Sequence, residues 1–500
     1  MTGPPSASLG DLTADRAAAR HLRDALRTSG YDDDHLAQAL QVSSLAGDAR
    51  GAVDWREVAG SDEPLTDLVE LFVFGRSVDV ARAAAALAPL SIEDAVRAGL
   101  LESDSRSVVS PWEVAVHDGL LLLGDHPGRM RPGNVDFVGT ISNSTRTLSH
   151  QTLRRPVEDA LDLGTGSGIL ALLAARHSTR VLGIDVNARA AQVATFNAGL
   201  NEVDNTDFAV GDWFGAVGEE RRFGLVVANL PFIAAPQVVF RFAHGGLDPN
   251  ELSRRIVRGA AARIADGGIA QILTSWTRGS GDDRIAPVRR FVDGTGCDAV
   301  VVTHGSREAA SYAAEQCGWL APGNRARYEE LFREWVRYYR EVGADAVEYG
   351  LISLRPQAAG KPWLHSIDAP GTPGDDCGDH VRRLFAGIET ARALRHDEEL
   401  LGGRFDLVEG HRVTQASSRK PDGYHPEPTT VDLTPDVGYK ATVSVYATAV
   451  LFSMQPAETL GATVERVAAE TGIVESVLAA EAVAAVKELL QLGMVETRTL

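Results

Sequence analysis

Between residues 157 and 356, short apolar runs alternate with stretches whose apolar positions recur at helical spacing. Val157–Leu163, Arg180–Asp185, Thr206–Gly211, Phe223–Asn229, Gly268–Ser275, Asp298–His304 and Ala346–Leu354 read as strands, while Gly168–His177, Ala188–Leu200 and Arg325–Val342 read as helices. Repeated strand–helix units predict an α/β fold with a doubly wound, Rossmann-like parallel sheet, here of seven strands. Such sheets bind ligands beyond the carboxyl ends of their strands, where the strand order reverses.

The flanking regions have other patterns. Met1–Gly10 is read as a disordered tail. Residues 11–125 predict a mostly helical domain, with helices at Asp15–Thr28, Tyr31–Leu45, Pro64–Phe74, Val78–Leu87 and Ile92–Ala98. Strands at Val108–Val116 and Leu120–Leu123 close it, so the domain resembles a winged helix. Residues 126–156, rich in Gly, Pro, Ser, Thr and Arg, read as a connector laid over the next domain, and 126–356 are taken as one unit. Residues 357–500 predict an α+β extension. It has polar loops at Pro370–Asp379 and Gln415–Thr434, a β-prone run at Tyr439–Met454 and a helical end at Thr463–Met494.

Composition narrows the function. Of 500 residues, 44% are apolar and 23% charged, as in a folded enzyme. The net charge is −19, from 49 basic and 68 acidic residues, and the lysines are confined to Lys361, Lys420, Lys440 and Lys487. An acidic chain disfavours nucleic acid as a partner, because phosphate binding relies on counterion release to cations. No apolar run is long enough to span a membrane. Cys297, Cys317 and Cys377 are an odd, sparse set that suits a reducing compartment, so a cytoplasmic location is expected. The Asp375–His380 cluster lacks metal-ligand spacing and reads as a solvated loop, so no metal is expected.

The most informative loop is Asp162-Leu163-Gly164-Thr165-Gly166-Ser167-Gly168, between an apolar strand and an apolar helix. Glycines permit a tight turn and close backbone approach by a ligand. Asp185 ends the second strand, about 20 residues on, where a carboxylate can accept from ribose hydroxyls, and Val186 follows it. Asp212 and Trp213 follow the third strand, where a carboxylate beside aromatic rings can read an adenine amino group. The spacing is G-x-G-x-G, which is neither the dinucleotide fingerprint nor a phosphate loop. Residues 157–275 resemble a class I S-adenosylmethionine (SAM) methyltransferase. The resemblance implies SAM as cofactor, with Asp162, Gly164, Thr165, Gly166, Gly168, Asp185, Val186, Asp212, Trp213 and Asn229 around it.

After the fourth strand stands Asn229-Leu230-Pro231-Phe232. It resembles the [Asn/Asp]-Pro-Pro-[Tyr/Phe] motif of methyltransferases that act on nitrogen attached to a planar group, among them release-factor glutamine and adenine methyltransferases. In that motif the Asn oxygen and the next backbone carbonyl accept from an NH₂ group, the proline stiffens the turn, and the ring packs on the acceptor plane. Here Leu230 replaces the first proline, which spares the backbone carbonyl. Residues 126–356 are also similar to a group of small-methyltransferase domains with flanking modules, matching at Thr152–Val157, Gly267, Gly268, Gln271 and Trp276.

The implied activity is N-methylation of a small molecule, such as a specialised metabolite, or of a peptide. Long flanking modules favour such a bounded acceptor, and they are expected to cover the pocket or form a homodimer face. The alternatives are N-methylation of protein glutamine or an RNA base, O-methylation of a small molecule with His150 as base, and a non-catalytic scaffold. The hydroxyls and His150 of Thr140–His150 are candidates for substrate contact. Tyr328, Trp335, Tyr338 and Tyr339 fit core packing better than a pocket wall, because their spacing is helical.

Overall fold

The computed structural model describes residues 12–13, 15–39, 64–130, 134–229, 235–236, 249–394 and 396–498. The expected tail at Met1–Gly10, the end of the expected helix Tyr31–Leu45, and Leu230, Pro231 and Phe232 lie outside the described residues.

One sheet organises the chain. Its strands are β1 (Val157–Leu163), β2 (Ser178–Asp185), β3 (Thr206–Val210), β4 (Phe223–Asn229), β5 (Ile264–Arg278), β6 (Cys297–Glu308), β7 (Ala346–Pro356) and β8 (Leu364–Asp368). Their order across the sheet is β8-β6-β7-β5-β4-β1-β2-β3. All pair in parallel except β7, which is antiparallel to both β5 and β6. The chain winds outward from β1 to β3 and then crosses back to β4, so the order reverses between β1 and β4. The eighth strand comes from the region expected to belong to the C-terminal extension. Its short, largely polar sequence, Leu364-His365-Ser366-Ile367-Asp368, suits an edge beside β6, with Leu364 and Ile367 packing on opposite faces.

Period-two alternation gives the sheet two buried faces. Leu225, Val227, Leu273 and Val302 join a core with the C-terminal helices, including Leu384 and Leu489. Val226, Ala228 and Ile272 face the opposite way, against Ile256 and Val257 of a helix at Pro249–Ala261. In the N-terminal region, helices at Arg16–Thr28, Asp33–Ala39, Pro64–Phe72, Val80–Leu87 and Ile92–Arg97 precede the hairpin Trp112–His117/Leu120–Asp125. No described helix is long and apolar enough to cross a membrane.

Two segments differ from the sequence expectation. Within the expected connector lies a helix, α1 (Asn143–Gln151). Its composition, Asn-Ser-Thr-Arg-Thr-Leu-Ser-His-Gln, has poor helix propensity, and tertiary contacts override that. Ser142 caps it by accepting from Thr145 N at 3.1 Å. Beyond its far end, Gln271, fully buried on β5, accepts from Leu153 N and donates to Gln151 O, both at 2.7 Å. The β-prone run Tyr439–Met454 contains a helix, Val445–Leu451, preceded by the short strand Ala441–Val443. Ser444 between them accepts from Ala447 N at 3.1 Å, and this cap starts the helix despite the β-branched residues.

The N-terminal hairpin is fastened to the sheet domain through the helix α3 (Ala188–Leu200), which follows α2 (Ile169–Ala175). Asn197 is fully buried on α3. Its Oδ1 accepts from Leu123 N at 2.9 Å, and its Nδ2 donates to Leu123 O at 2.8 Å and Ser167 O at 2.9 Å. Asn197→Ala would leave these three backbone groups unpaired in an apolar setting. Urea unfolding is expected to show a loss of about 2–4 kcal/mol, whereas a loss near 0.5 kcal/mol, typical of a surface change, would contradict this role.

Candidate active site

Strand register brings the sequence motifs together. Leu163 on β1 pairs with Ile184 on β2 and with Ala228 on β4. The next residue on each strand is therefore Gly164, Asp185 and Asn229, and all three emerge at one rim. Asp185 also pairs with Val210 on β3, and Asn229 with Leu273 on β5. This rim lies at the reversal of strand order, where an open α/β sheet leaves a crevice.

The glycine loop closes tightly over the end of β2. Gly164, Gly166 and Gly168 have φ of +70°, +54° and +87°, a region that side chains disfavour. Gly164 N and Thr165 N donate to Ile184 O at 2.8 and 3.0 Å. At Gly168, a Cβ would stand 2.9 Å from the Ala194 methyl, so this glycine also lets α2 and α3 approach.

Two carboxylates underlie the loop. Asp185 accepts from Gly166 N at 3.0 Å through Oδ2 and from Asn187 N at 2.9 Å through Oδ1. Burial raises its pKa above the usual carboxylate range, although these backbone donors oppose the shift. Asp162 is fully buried. Its Oδ2 accepts from Thr165 Oγ1 at 2.7 Å and Ala171 N at 3.1 Å, while its Oδ1 is buried without a partner among the described residues. Desolvation pushes this carboxyl up to about 7, and the nearby Asp185 charge adds to the effect.

Apolar surface lies exposed beside Asp185. Val186 is 46% and Val210 55% accessible. Gly211 N donates to Asp185 O at 2.9 Å and ties the end of β3 to that of β2. Asp212 is exposed and its side chain caps nothing, and Trp213 holds a φ of +45°. Phe214 turns into the core against Gly259, so Trp213 is the ring left beside Asp212.

Asn229 closes the rim on the other side of the switch. It is half-buried at the end of β4. Its Nδ2 donates to Thr145 Oγ1 at 2.7 Å and to Ser144 Oγ at 3.2 Å, both on α1. Its Oδ1 is buried and has no partner among the described residues. The described part of the chain beyond it, at Ala235, packs fully buried against the helical pair Ala309–Leu320 and Arg325–Glu341. Trp335 and Tyr339 lie in that core at 1% and 2% exposure, as their helical spacing implied.

Sequence reasoning singled out the hydroxyl-rich Thr140–His150 stretch but not which residues meet Asn229. The N-cap pattern Ser142-Asn143-Ser144-Thr145 was the available signal. His150 does not join the rim contacts. Its Nε2 lies 2.9 Å from Asp375 Oδ1, its backbone oxygen accepts from Cys377 Sγ at 3.4 Å, and its ring stacks on His117 at 5.7 Å. The Asp375–His380 segment is thus a docking loop as well as an acidic one, with Cys377 and His380 buried.

Residues 139–240 match the family model of ribosomal protein L11 methyltransferase. The release factor glutamine methyltransferase of Cereibacter sphaeroides is 32% identical over 234 residues, which span 44% of this chain and 81% of that protein. This chain belongs to the class I SAM-dependent methyltransferases, alongside the release factor glutamine methyltransferases. It is also similar to the release factor glutamine methyltransferase of Xylella fastidiosa, at 33% identity over 28% of this chain and 54% of that protein. The ribosomal protein uL3 glutamine methyltransferase of Bradyrhizobium diazoefficiens is 35% identical over 23% and 40% of the respective chains. A solved ribosomal protein L11 methylase from Lactobacillus delbrueckii subsp. bulgaricus covers 43% of this chain and 77% of its own at 15% identity, but its TM-score of 0.24 is too low to carry weight. The flanks match two domains of unknown function, DUF7059 at residues 28–111 and DUF7782 at residues 384–497.

SAM is the cofactor of this methyltransferase, and the rim suits it. The Asp162 Oδ1 has no donor among the described residues, three glycines of the loop offer backbone without side chains, and Val186 presents apolar surface beside a carboxylate.

The raised Asp162 pKa has a stability consequence. A carboxyl that holds its proton more tightly when folded supports the fold at low pH and loses that contribution as pH rises from its ordinary 3.8 through about 7. In the cofactor-free protein, Asp162→Asn is expected to flatten the decline in unfolding free energy across this window, by on the order of a few kcal/mol. A decline of equal slope in both proteins, measured by denaturant titration at a series of pH values, would contradict the assignment.

Proposed function

We propose that this methyltransferase methylates the side-chain amide nitrogen of a glutamine in a protein. The observation that carries the reading is the buried, unpartnered Oδ1 of Asn229, on the same rim as the glycine loop and Asp185. A hydrogen-bond acceptor kept from water and without a donor among the described residues calls for a donor on the incoming molecule. A primary amide supplies one. The named relatives favour a protein glutamine over the metabolite expected from the flanking modules.

The cofactor-binding residues divide the work by their chemistry. Gly164, Thr165, Gly166 and Gly168 offer backbone to the methionine part, and the bare Asp162 Oδ1 suits its ammonium group. Asp185 retains lone pairs for the ribose hydroxyls beyond those used by Gly166 and Asn187. Val186, Asp212 and Trp213 would flank the adenine.

SAM, when bound, supplies an electrophilic methyl group on a sulfonium sulfur. Asn229 Oδ1 accepts one N–H of the substrate amide, and the Leu230 carbonyl takes the second, as in the motif it resembles. Holding both N–H groups orients the nitrogen and draws its lone pair out of conjugation with the amide carbonyl. By the same resemblance, Pro231 would restrict the backbone there and Phe232 would pack on the amide plane. Orientation of this kind can lower a barrier by roughly 7–11 kcal/mol at its limit, and a strong base is not needed if the nitrogen loses its proton after the methyl group has begun to transfer.

The test is transfer of labelled methyl from SAM to a purified bacterial release factor, with mass spectrometry to locate the modified residue. Label is expected on a glutamine, and Asn229→Ala is expected to lower the rate about 10²-fold or more while SAM binding persists. Full rate in Asn229→Ala would overturn the role of this residue. Label recovered only on low-mass metabolites of an extract, with none on protein, would overturn the substrate.

A further inference from the structure

A carboxamide has two ends of nearly equal size and opposite hydrogen-bonding sense. Asn229 serves an incoming amide only if its oxygen faces the acceptor. Turned over, it would present N–H to N–H. Rotation about the terminal torsion is soft, so the strand alone does not choose the orientation.

We propose that Thr145, with Ser144, is a positioning residue that sets the orientation of the Asn229 carboxamide. This rests on the reading of Asn229 as the amide that binds the methyl acceptor. The two hydroxyls accept from Asn229 Nδ2 at 2.7 and 3.2 Å, which leaves Oδ1 as the end without a partner among the described residues. The hydroxyls are themselves fixed. Ser142 Oγ lies 2.8 Å from Thr145 Oγ1 and 2.9 Å from Ser144 Oγ, and it also caps Thr145 N. With Ser142 as a hydrogen-bond partner for both, Thr145 and Ser144 can turn lone pairs toward Asn229.

The helix that carries them is secured at both ends. At its start stands the Ser142 cap, and at its end Gln271 binds Gln151 O and Leu153 N. His304 Nε2 meets Gln151 Oε1 at 3.0 Å, which adds a contact from β6. Leu148 is fully buried between these anchors in the core that includes Leu273, the residue paired with Asn229. The hydroxyl pair is therefore held against the end of β4 by the sheet itself. Neither Ser144 nor Thr145 is assigned contact with the reacting atoms. Their effect passes through Asn229.

The experiment uses the full chain with nitrogen-15 in its asparagine side chains. The Asn229 NH₂ pair is identified by its disappearance in Asn229→Asp. In the unaltered protein without substrate, the pair is expected to be shifted from solvent-exposed amides and to exchange slowly. In S144A/T145V it should move toward the exposed position, and in T145S it should return. With a release factor as acceptor, T145V should lower kcat about tenfold or more, leave the KM for SAM within about twofold, and be rescued by T145S. An unmoved Asn229 pair in S144A/T145V overturns the proposal, as does a T145V enzyme with unchanged kcat. The amide spectrum needs no substrate. If the pair moves as expected but no protein is methylated, the positioning role stands and the substrate reading falls.

Discussion

Everything at the rim depends on the parallel register of β1 with its two neighbours. Leu163, Ile184 and Ala228 lie side by side, and each is followed by a residue that has left the apolar interior. One residue of slip in β4 would turn Asn229 to the other face of the sheet, because side chains alternate with period two. The slip is opposed by two buried faces at once. Val226 and Ala228 fill one core while Leu225 and Val227 fill the other. Apolar patterning that secures the fold thus also delivers a glycine turn, a carboxylate and a carboxamide to one edge.

The modules around the sheet act on that edge through specific polar residues rather than by cover alone. Asn197 joins the N-terminal hairpin to the carbonyl of Ser167 within the glycine loop. Asp125, fully buried, pairs with Arg189 on α3, whose guanidinium also lies 4.8 Å from the Trp112 ring. On the other side the Asp375–Cys377 loop grips His150 near the end of α1, and α1 grips Asn229. A buried polar side chain is costly unless its partners are placed, so such contacts favour one arrangement of the modules over looser ones.

Much of this was legible in the residues. The strand–helix alternation, the glycine loop, Asp185, Asp212 and the Asn229 motif all depend on local patterns, and the sheet put their described parts where the patterns implied. What escaped was set by distant contacts. Residues 143–151 read as a connector because Ser, Thr and Asn disfavour helix, and only Gln271, more than a hundred residues away in sequence, shows what holds them. Gln271 entered the reading only as a point of resemblance near the fifth strand, and that does not name its partners. The edge strand Leu364–Asp368 is too short to announce itself, and the helix Val445–Leu451 was hidden by its β-branched residues. The buried Asp162 was visible as part of the loop, whereas its bare oxygen is a fact of packing.

The most direct measurement is a crystal structure of the full chain with S-adenosylhomocysteine bound. The account predicts ribose hydroxyls on Asp185, the amino group near Asp162 Oδ1, adenine beside Val186, and a sulfur facing the space next to Asn229 Oδ1. A product bound elsewhere, or a sulfur that points away from Asn229, would contradict it.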